Sequence, residues 1–198
     1  DSKIAVMDTV DERATDQWFD NLEEAFEGKA PDYLVVSHLE PDHSGNIERF
    51  LKKYPDTIVV ANAKTFAMLP QFIDIDVPED KRFVAAEGTT LALGKHVLTF
   101  VMAPMVHWPE VMVEYESTEK VLFSADGFGT FGALGDRLKT SELENMPQSW
   151  ADEARRYFIN IVGKYGPSVQ GLLKKASALD ISVIAPLHGP VIDKDFDF

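Results

Sequence analysis

The sequence predicts an α/β domain, and three observations carry that expectation. Short apolar runs bounded by Gly, Pro and acidic turns recur from Lys3 to Ala61 and again near the C-terminus, as buried strands do. The segments between them have helical spacing. From Arg82 to Asp126 the pattern changes to period two with turn residues between the runs, which marks hairpins. The 198 residues, 45% of them apolar, suit one core, and no low-complexity segment or linker divides them. Residues 1–198 therefore read as a single domain.

Taken in order, Lys3 to Met7 enters at once as a strand, followed by Asp8-Thr9-Val10-Asp11. Asp11 to Gly28 is an amphipathic helix with Trp18, Leu22, Ala25 and Phe26 on one stripe and acids on the other, so its aromatics read as core. Gly28 and Pro31 end it, and Tyr33-Leu34-Val35-Val36 is a partly β-branched buried strand. Pro41 breaks regular structure, after which Ile47, Phe50 and Leu51 have the spacing of a helix closing near Pro55. Thr57 to Ala61 is another strand, Ala63 to Phe72 a short helix that Pro70 can interrupt, and Asp74 to Asp80 a solvated acidic loop. In the hairpin region Leu91 to Leu93 and Val97 to Met102 flank Gly94-Lys95-His96, while Val111 to Tyr115 and Lys120 to Phe123 flank Ser117-Thr118-Glu119. His96, in its turn beside Lys95, reads as solvent-facing. Ser149 is expected to cap a helix from Trp150 to Tyr165 with Ala154, Tyr157, Phe158, Ile161 and Val162 apolar. Pro167 begins a second helix through Ala178, and Ile181 to Ala185 is the final buried strand.

Composition narrows the function classes. A formal net charge of -14 and a pI near 4.7 argue against nucleic acid or an anionic membrane as partner. Zero cysteine excludes disulfides, thiolate metal sites and Cys-ligated iron-sulfur clusters within the chain, leaving His and carboxylate as the strong ligands. There is no apolar run of about 18 residues and no signal peptide, so the default expectation is a soluble cytoplasmic protein. The chain begins at Asp1 without Met, as a processed or excised product would.

The chemistry concentrates in His38-Leu39-Glu40-Pro41-Asp42-His43, where two His, one Glu and one Asp leave the end of a strand. A polar turn between strand and helix can aim adjacent side chains in different directions. One metal cage would not need that, but two neighbouring ions would. A solvated polar loop is the plain alternative, and four ligand types in six residues weigh against it. Three further candidates follow apolar strands beside Gly or Pro: His107 in His107-Trp108-Pro109-Glu110, Asp126 before Gly127-Phe128-Gly129, and His188 before Gly189-Pro190. If those strands share a direction within their sheets, all the candidates converge on one edge, the usual place for a site in an α/β fold.

The HxExDH pattern resembles the metal motif of the metallo-β-lactamase superfamily in the variant used by the flavodiiron proteins, where Glu stands in place of the usual second His. The resemblance continues through Asp8-Thr9-Val10, His107 to Met112, Phe123 to Gly129 and Ala185 to Pro190, covering residues 3 to about 190. It implies the αββα metallo-β-lactamase-like sandwich. It also implies two iron ions bridged by hydroxide or oxo, one held by His38, Glu40, His107 and Asp126, the other by Asp42, His43, Asp126 and His188. The implied activity is reduction of O2 to water or of NO to N2O, with a possible homodimer and electrons from FMN. Family members carry that FMN on a flavodoxin-like domain, and nothing in these residues can cradle a flavin phosphate, so FMN is expected only on a partner domain or protein. The family's N-terminal hairpin is also expected to be missing. Two other readings stay open: an oxygen-binding di-iron sensor without steady turnover, and a zinc-dependent hydrolase.

Charge favours iron independently of the resemblance. Glu40, Asp42 and Asp126 put three negative charges against two divalent ions, leaving one positive charge that a bridging hydroxide cancels. A His in place of Glu40 would make a stronger Lewis acid suited to hydrolytic water. The added carboxylate favours harder metals and higher oxidation states. Trp108, Phe128 and Phe131 read first as core packing and second as pocket walls. Tyr157 is a candidate hydrogen-bond donor behind the ligands.

Overall fold

In the computed structural model, which describes residues 2–143 and 148–194, two sheets pack face to face between helices. The first sheet holds β1 (Ala5–Met7), β2 (Tyr33–Val35), β3 (Ile58–Asn62) and β4 (Arg82–Ala85), side by side in that order and all parallel. The second holds β5 (Thr90–Ala92), β6 (Val97–Met102), β7 (Met112–Glu116), β8 (Val121–Phe123) and β9 (Val183–Ala185). Neighbours are antiparallel through β8, and β9 is parallel to β8. Parallel neighbours need crossovers. In the first sheet α1 (Thr15–Phe26), α2 (Pro41–Ser44), α3 (Ile47–Lys53) and α4 (Ala63–Met68) occupy them. In the second, α5 (Gln148–Tyr157) and α6 (Gly166–Ala176) lie between β8 and β9.

The layering follows from period two along the strands. Leu34, Val36, Val59 and Ala61 point outward onto Phe26, Ile47 and Phe50 of the first helical layer. Val35, Val60 and Ala85 point the other way, into a layer shared with Leu91, Leu98, Phe100 and Met112 of the second sheet. Val101, Val113, Leu122 and Ile184 then face Val162 and Leu172 on the far side. Three apolar layers between four structural ones make the expected αββα sandwich. Phe100 is fully buried in the middle layer, so Phe100→Ala should cost about 3–5 kcal/mol in a denaturant melt.

Four local expectations are corrected. The buried stripe of α1 runs through Trp18, Phe19, Leu22 and Phe26, while Ala25 is exposed, because Phe19 rather than Ala25 supplies the packing surface. Arg82 to Ala85 is not part of the hairpins but the fourth parallel strand; its outer residue Val84 is 54% exposed at the sheet edge, and such alternation looks the same in either setting. The helix expected through Tyr165 stops being α-helical at Tyr157 and continues as a π-helical stretch, Phe158–Val162, then a tight turn, Gly163–Tyr165. That change of winding leaves Phe158 exposed, beside the exposed Ile159, rather than on the core face. The side chain of Ser149, expected to cap this helix, lies outside the described residues. His96 is half-buried rather than open to solvent, with its ring facing Glu119 at 3.8 Å.

Because β6 and β8 are each antiparallel to β7, and β9 is parallel to β8, all three run the same way. The loops carrying His107, Asp126 and His188 therefore leave one edge of the second sheet, and the His38 to His43 segment leaves β2 of the first. Among the described residues no helix is long and apolar enough to cross a membrane.

Candidate metal centre

The exit from β2 is held from behind. Asp8 follows β1 with a positive φ of 55°, and its carboxylate accepts hydrogen bonds from the backbone N–H of Ser37 (2.8 Å) and His38 (3.3 Å). The Thr9 N–H and hydroxyl both donate to the His43 carbonyl at 2.8 Å. Between these clamps, Pro41 starts α2, and the Glu40 carbonyl accepts from the N–H groups of His43 and Ser44. One turn of helix so placed sends His38 and Glu40 one way and Asp42 and His43 another.

Two groups of donors result. His38, Glu40, His107 and Asp126 offer one ligand atom each, all within 4.8 Å of one another, and Asp42, His43 and His188 do the same. In the first group His107 Nε2 is 2.9 Å from Glu40 Oε2, 3.0 Å from Asp126 Oδ2 and 3.4 Å from His38 Nε2. In the second His43 Nε2 is 3.0 Å from His188 Nε2, and both face Asp42 Oδ2, at 3.4 and 3.3 Å. Asp126 stands between them: its Oδ2 serves the first group, while its Oδ1 is 3.3 Å from His43 and 3.6 Å from His188. All seven residues expected as ligands meet here.

Asp126 owes its position to the turn around it. Ala125 before it has a positive φ of 48°, and the Ser124 hydroxyl donates to the Gly127 carbonyl at 2.6 Å. The Leu187 N–H donates to the Ala125 carbonyl, tying the His188 loop to this turn. Gly189, at φ 87°, completes the join, since any Cβ there would collide with the Thr130 hydroxyl.

Glu110 is the residue that sequence reasoning missed. It is fully buried, and its Oε1 accepts from both His38 Nδ1 and the Leu39 N–H at 2.9 Å. With Nδ1 committed as donor, the free lone pair of His38 lies on Nε2, toward the other donors. Its only sequence signal was a carboxylate three residues after His107. Two more buried carboxylates lie behind the loop. Burial raises both the Asp8 and Glu114 pKa values, and Glu114, which accepts from the Ser37 hydroxyl, lies well above its ordinary range, Asp8 adding to the effect.

The centre is strongly polarised. Burial alone would depress the His38 pKa, but hydrogen bonds to Glu110 and Glu40 and the charge of Asp126 raise it to about 10. Burial likewise opposes, and Asp126 and Glu40 outweigh it, at His107, which rises to about 9. Hydrogen bonds from His107 and His38 hold Glu40 down to about 2, and His188 lowers Asp42. Asp126 lies far below the carboxylate range despite its burial, because the rings of His107 and His43 lie against its two oxygens at 3.0 and 3.3 Å.

Of the aromatic residues, Trp108 sets its ring edge-on against His38 at 5.2 Å and also touches Phe72. Phe131 packs on Tyr157, 5.0 Å between centroids. Phe128 is not core: it is 39% exposed, because the positive φ of 65° at the Asp126 turn points it outward. Tyr157 is buried, its ring 5.6 Å from His188 and its hydroxyl without a hydrogen bond. Burial and the nearby charge of Asp126 push its phenol upward.

The donor set fits metal ions on its own chemistry. In two pairs of histidines, His43 with His188 and His38 with His107, ring nitrogens face each other at 3.0 and 3.4 Å, where only a proton or a cation between them relieves the opposition. Asp42 Oδ1 and Asp126 Oδ1 are buried without hydrogen bonds, as carboxylate oxygens at a cation site would be.

A four-layer sandwich with His and carboxylate donors collected at the strand ends of both sheets defines the metallo-β-lactamase-like class. The chain belongs to the family described as "ODP family beta lactamase", whose model matches residues 1–189. It is 31% identical over 198 residues to a nitric oxide reductase of Moorella thermoacetica, covering 98% of this chain and 48% of that protein. The flavodiiron protein of Giardia intestinalis matches with a TM-score of 0.90 at 25% identity, covering 98% of this chain and 46% of that one. Rubredoxin oxygen:oxidoreductase from Desulfovibrio gigas matches with a TM-score of 0.89 at 26% identity, covering 97% and 47%. The chain thus spans less than half the length of these relatives. The resemblance to flavodiiron proteins and the αββα fold expected from it are both borne out.

Proposed function

We propose that this chain is a non-haem di-iron domain that binds and reduces O2 or NO, taking electrons from an external flavin carrier. The observation that carries the proposal is Asp126, one carboxylate shared by two donor groups, with Glu40 making the set rich in carboxylates. His38, Glu40, His107 and Asp126 would hold one iron, and Asp42, His43, Asp126 and His188 the other. Bound there, two ferrous ions supply two electrons and Lewis acidity to a diatomic ligand.

The protein's own residues do the rest. Glu110 fixes the tautomer of His38 so that Nε2 stays aimed inward. Three carboxylates offset most of the charge of two divalent ions, which suits iron and a change of oxidation state better than a zinc ion activating water. Trp108 covers the His38 ring and keeps water from that side. Tyr157 keeps its proton and presents it toward the centre as a hydrogen-bond donor.

Electron count separates this reading from steady catalysis by the chain alone. Coupling two NO to N2O and water takes two electrons and two protons, which a diferrous pair can meet once. Taking O2 to two waters takes four electrons, so further electrons must come from a carrier such as FMN on a partner. Iron-loaded chain, reduced without oxygen and mixed with excess NO, should yield about one N2O per metal pair and stop. Adding a reduced flavodoxin-like protein should restore turnover. Failure to form any N2O, with a stable O2 adduct instead, would favour a sensor; zinc in place of iron, with hydrolytic activity, would overturn the redox reading.

A further inference from the structure

Beside the metal centre lies a cavity of about 500 Å³, and the centre itself does not account for it. Its walls include Val106, Ala154, Val162 and Leu172, brought together by α5, the π-helical stretch and α6. Among the described residues no acidic side chain lines it, and the one charged residue on its wall, Arg155, is largely exposed with its guanidinium turned to Asp152 at 2.7 Å. Its inner wall is the backbone next to two of the metal donors, since Val106 precedes His107 and Gly127 follows Asp126. Tyr157 lines the cavity too, and its ring lies 5.6 Å from that of His188. At Gly129 the turn presses so close to this ring that a Cβ would sit 2.7 Å from Tyr157 Cε1. The outer rim is formed by Phe128, Phe158 and Leu173, all exposed.

We infer that this cavity is the entry route for an uncharged diatomic gas, with the Tyr157 ring as its inner gate. The inference rests on the O2 or NO reading above. A water molecule needs two to four polar partners, and among the described residues the Tyr157 hydroxyl is the one buried polar side-chain group on these walls, whereas an apolar cavity takes up apolar guests such as xenon. The Tyr157 hydroxyl is a polar group at the inner wall, buried and unpartnered, so a guest that passes the ring meets a hydrogen-bond donor as it reaches the centre. Glu40, Asp42 and His188 do not line this cavity and are each about a third exposed, so the site also has a polar side open to solvent. That side is the one open to an electron donor. An apolar route from α5 and α6 leaves gas entry independent of the donor.

The test uses the full chain in two states. Xenon pressurisation of metal-free crystals should place xenon against Tyr157 and Ala154, and Ala154→Phe should remove it. In the iron-loaded, reduced chain the same substitution should slow NO association by roughly tenfold, with iron content and spectrum unchanged. Leu172→Phe fills the cavity from the other wall and serves if Ala154→Phe does not fold. Absence of xenon, or an unchanged association rate with the cavity filled, overturns the route and leaves entry to the polar face. A change of molecular mass in either variant, by light scattering, would overturn it too, marking this face as a contact between copies. If the native iron-loaded chain binds no NO at all, the functional reading falls and the route with it. Xenon occupancy, which needs no metal, tells that failure apart from the absence of a cavity guest.

Discussion

The two donor groups are built from the same residue types and are supported very differently. In the first, His38 is fully buried and its far nitrogen is fixed by Glu110, itself without exposure. In the second, no carboxylate among the described residues plays that part for His43 or His188, and His188 is 34% exposed. A ring held at both nitrogens has its orientation fixed before the metal arrives, while a ring held at one must be ordered by it. The first group should therefore be the tighter site and the second the one that exchanges metal and admits ligand.

Removing what the groups share should have the largest effect. Asp126→Ala takes one oxygen from each and leaves four histidines facing fewer anions, so iron content should fall from two per chain to less than one. Retention of both ions would show that Asp126 does not bridge. The next effect breaks the asymmetry directly. Glu110→Gln should weaken the first group about 10- to 100-fold in a chelator competition while leaving the second nearly as it was. Equal weakening of both would mean that Glu110 supports the fold rather than one site. Glu40→His should then shift occupancy from iron toward zinc, because an anionic oxygen is exchanged for a neutral nitrogen. Unchanged iron loading and redox behaviour would remove the charge argument.

The smallest effect is on pH dependence, and its sign is fixed. In the metal-free protein His38 is held protonated up to about 10 and His107 up to about 9. Metal must displace those protons, so affinity of the first group should climb as pH rises through neutrality and level off only above about 10. For the metal-free fold the linkage runs the other way. These histidines contribute stability that is fully present below their ordinary 6.5 and is lost as pH rises through about 9 and 10. Glu40 contributes above its ordinary 4.5 and loses that contribution as pH falls toward about 2. Chelator titrations and thermal melts of the metal-free chain across this range check both signs.

The donors were legible because few residue types bind metals and each sits where a strand ends in a Gly or Pro turn. His38, Glu40, Asp42 and His43 announce themselves by density, and His107, Asp126 and His188 by repeating one placement. What supports them was not legible. Glu110 looks like any acid beside a loop, and only the fold brings it under His38. Asp8 and Glu114 alternate along or beside strands as surface residues do, yet both are buried behind the site. In the fold, periodicity separated helices from strands but could not assign Arg82 to Ala85 to a sheet, since parallel edge and hairpin strands alternate alike. The π-helical stretch at Phe158–Val162 also leaves no sign in an apolar sequence, although it reshapes the cavity wall.

The central claim is that two metal ions sit side by side with Asp126 between them. Mössbauer spectroscopy of chain loaded with isotopically enriched iron tests it most directly. Two irons per chain, differing in environment and coupled to a diamagnetic ground state when both are ferric, are the predicted result. One iron per chain, or two that behave as independent paramagnets, would contradict the account.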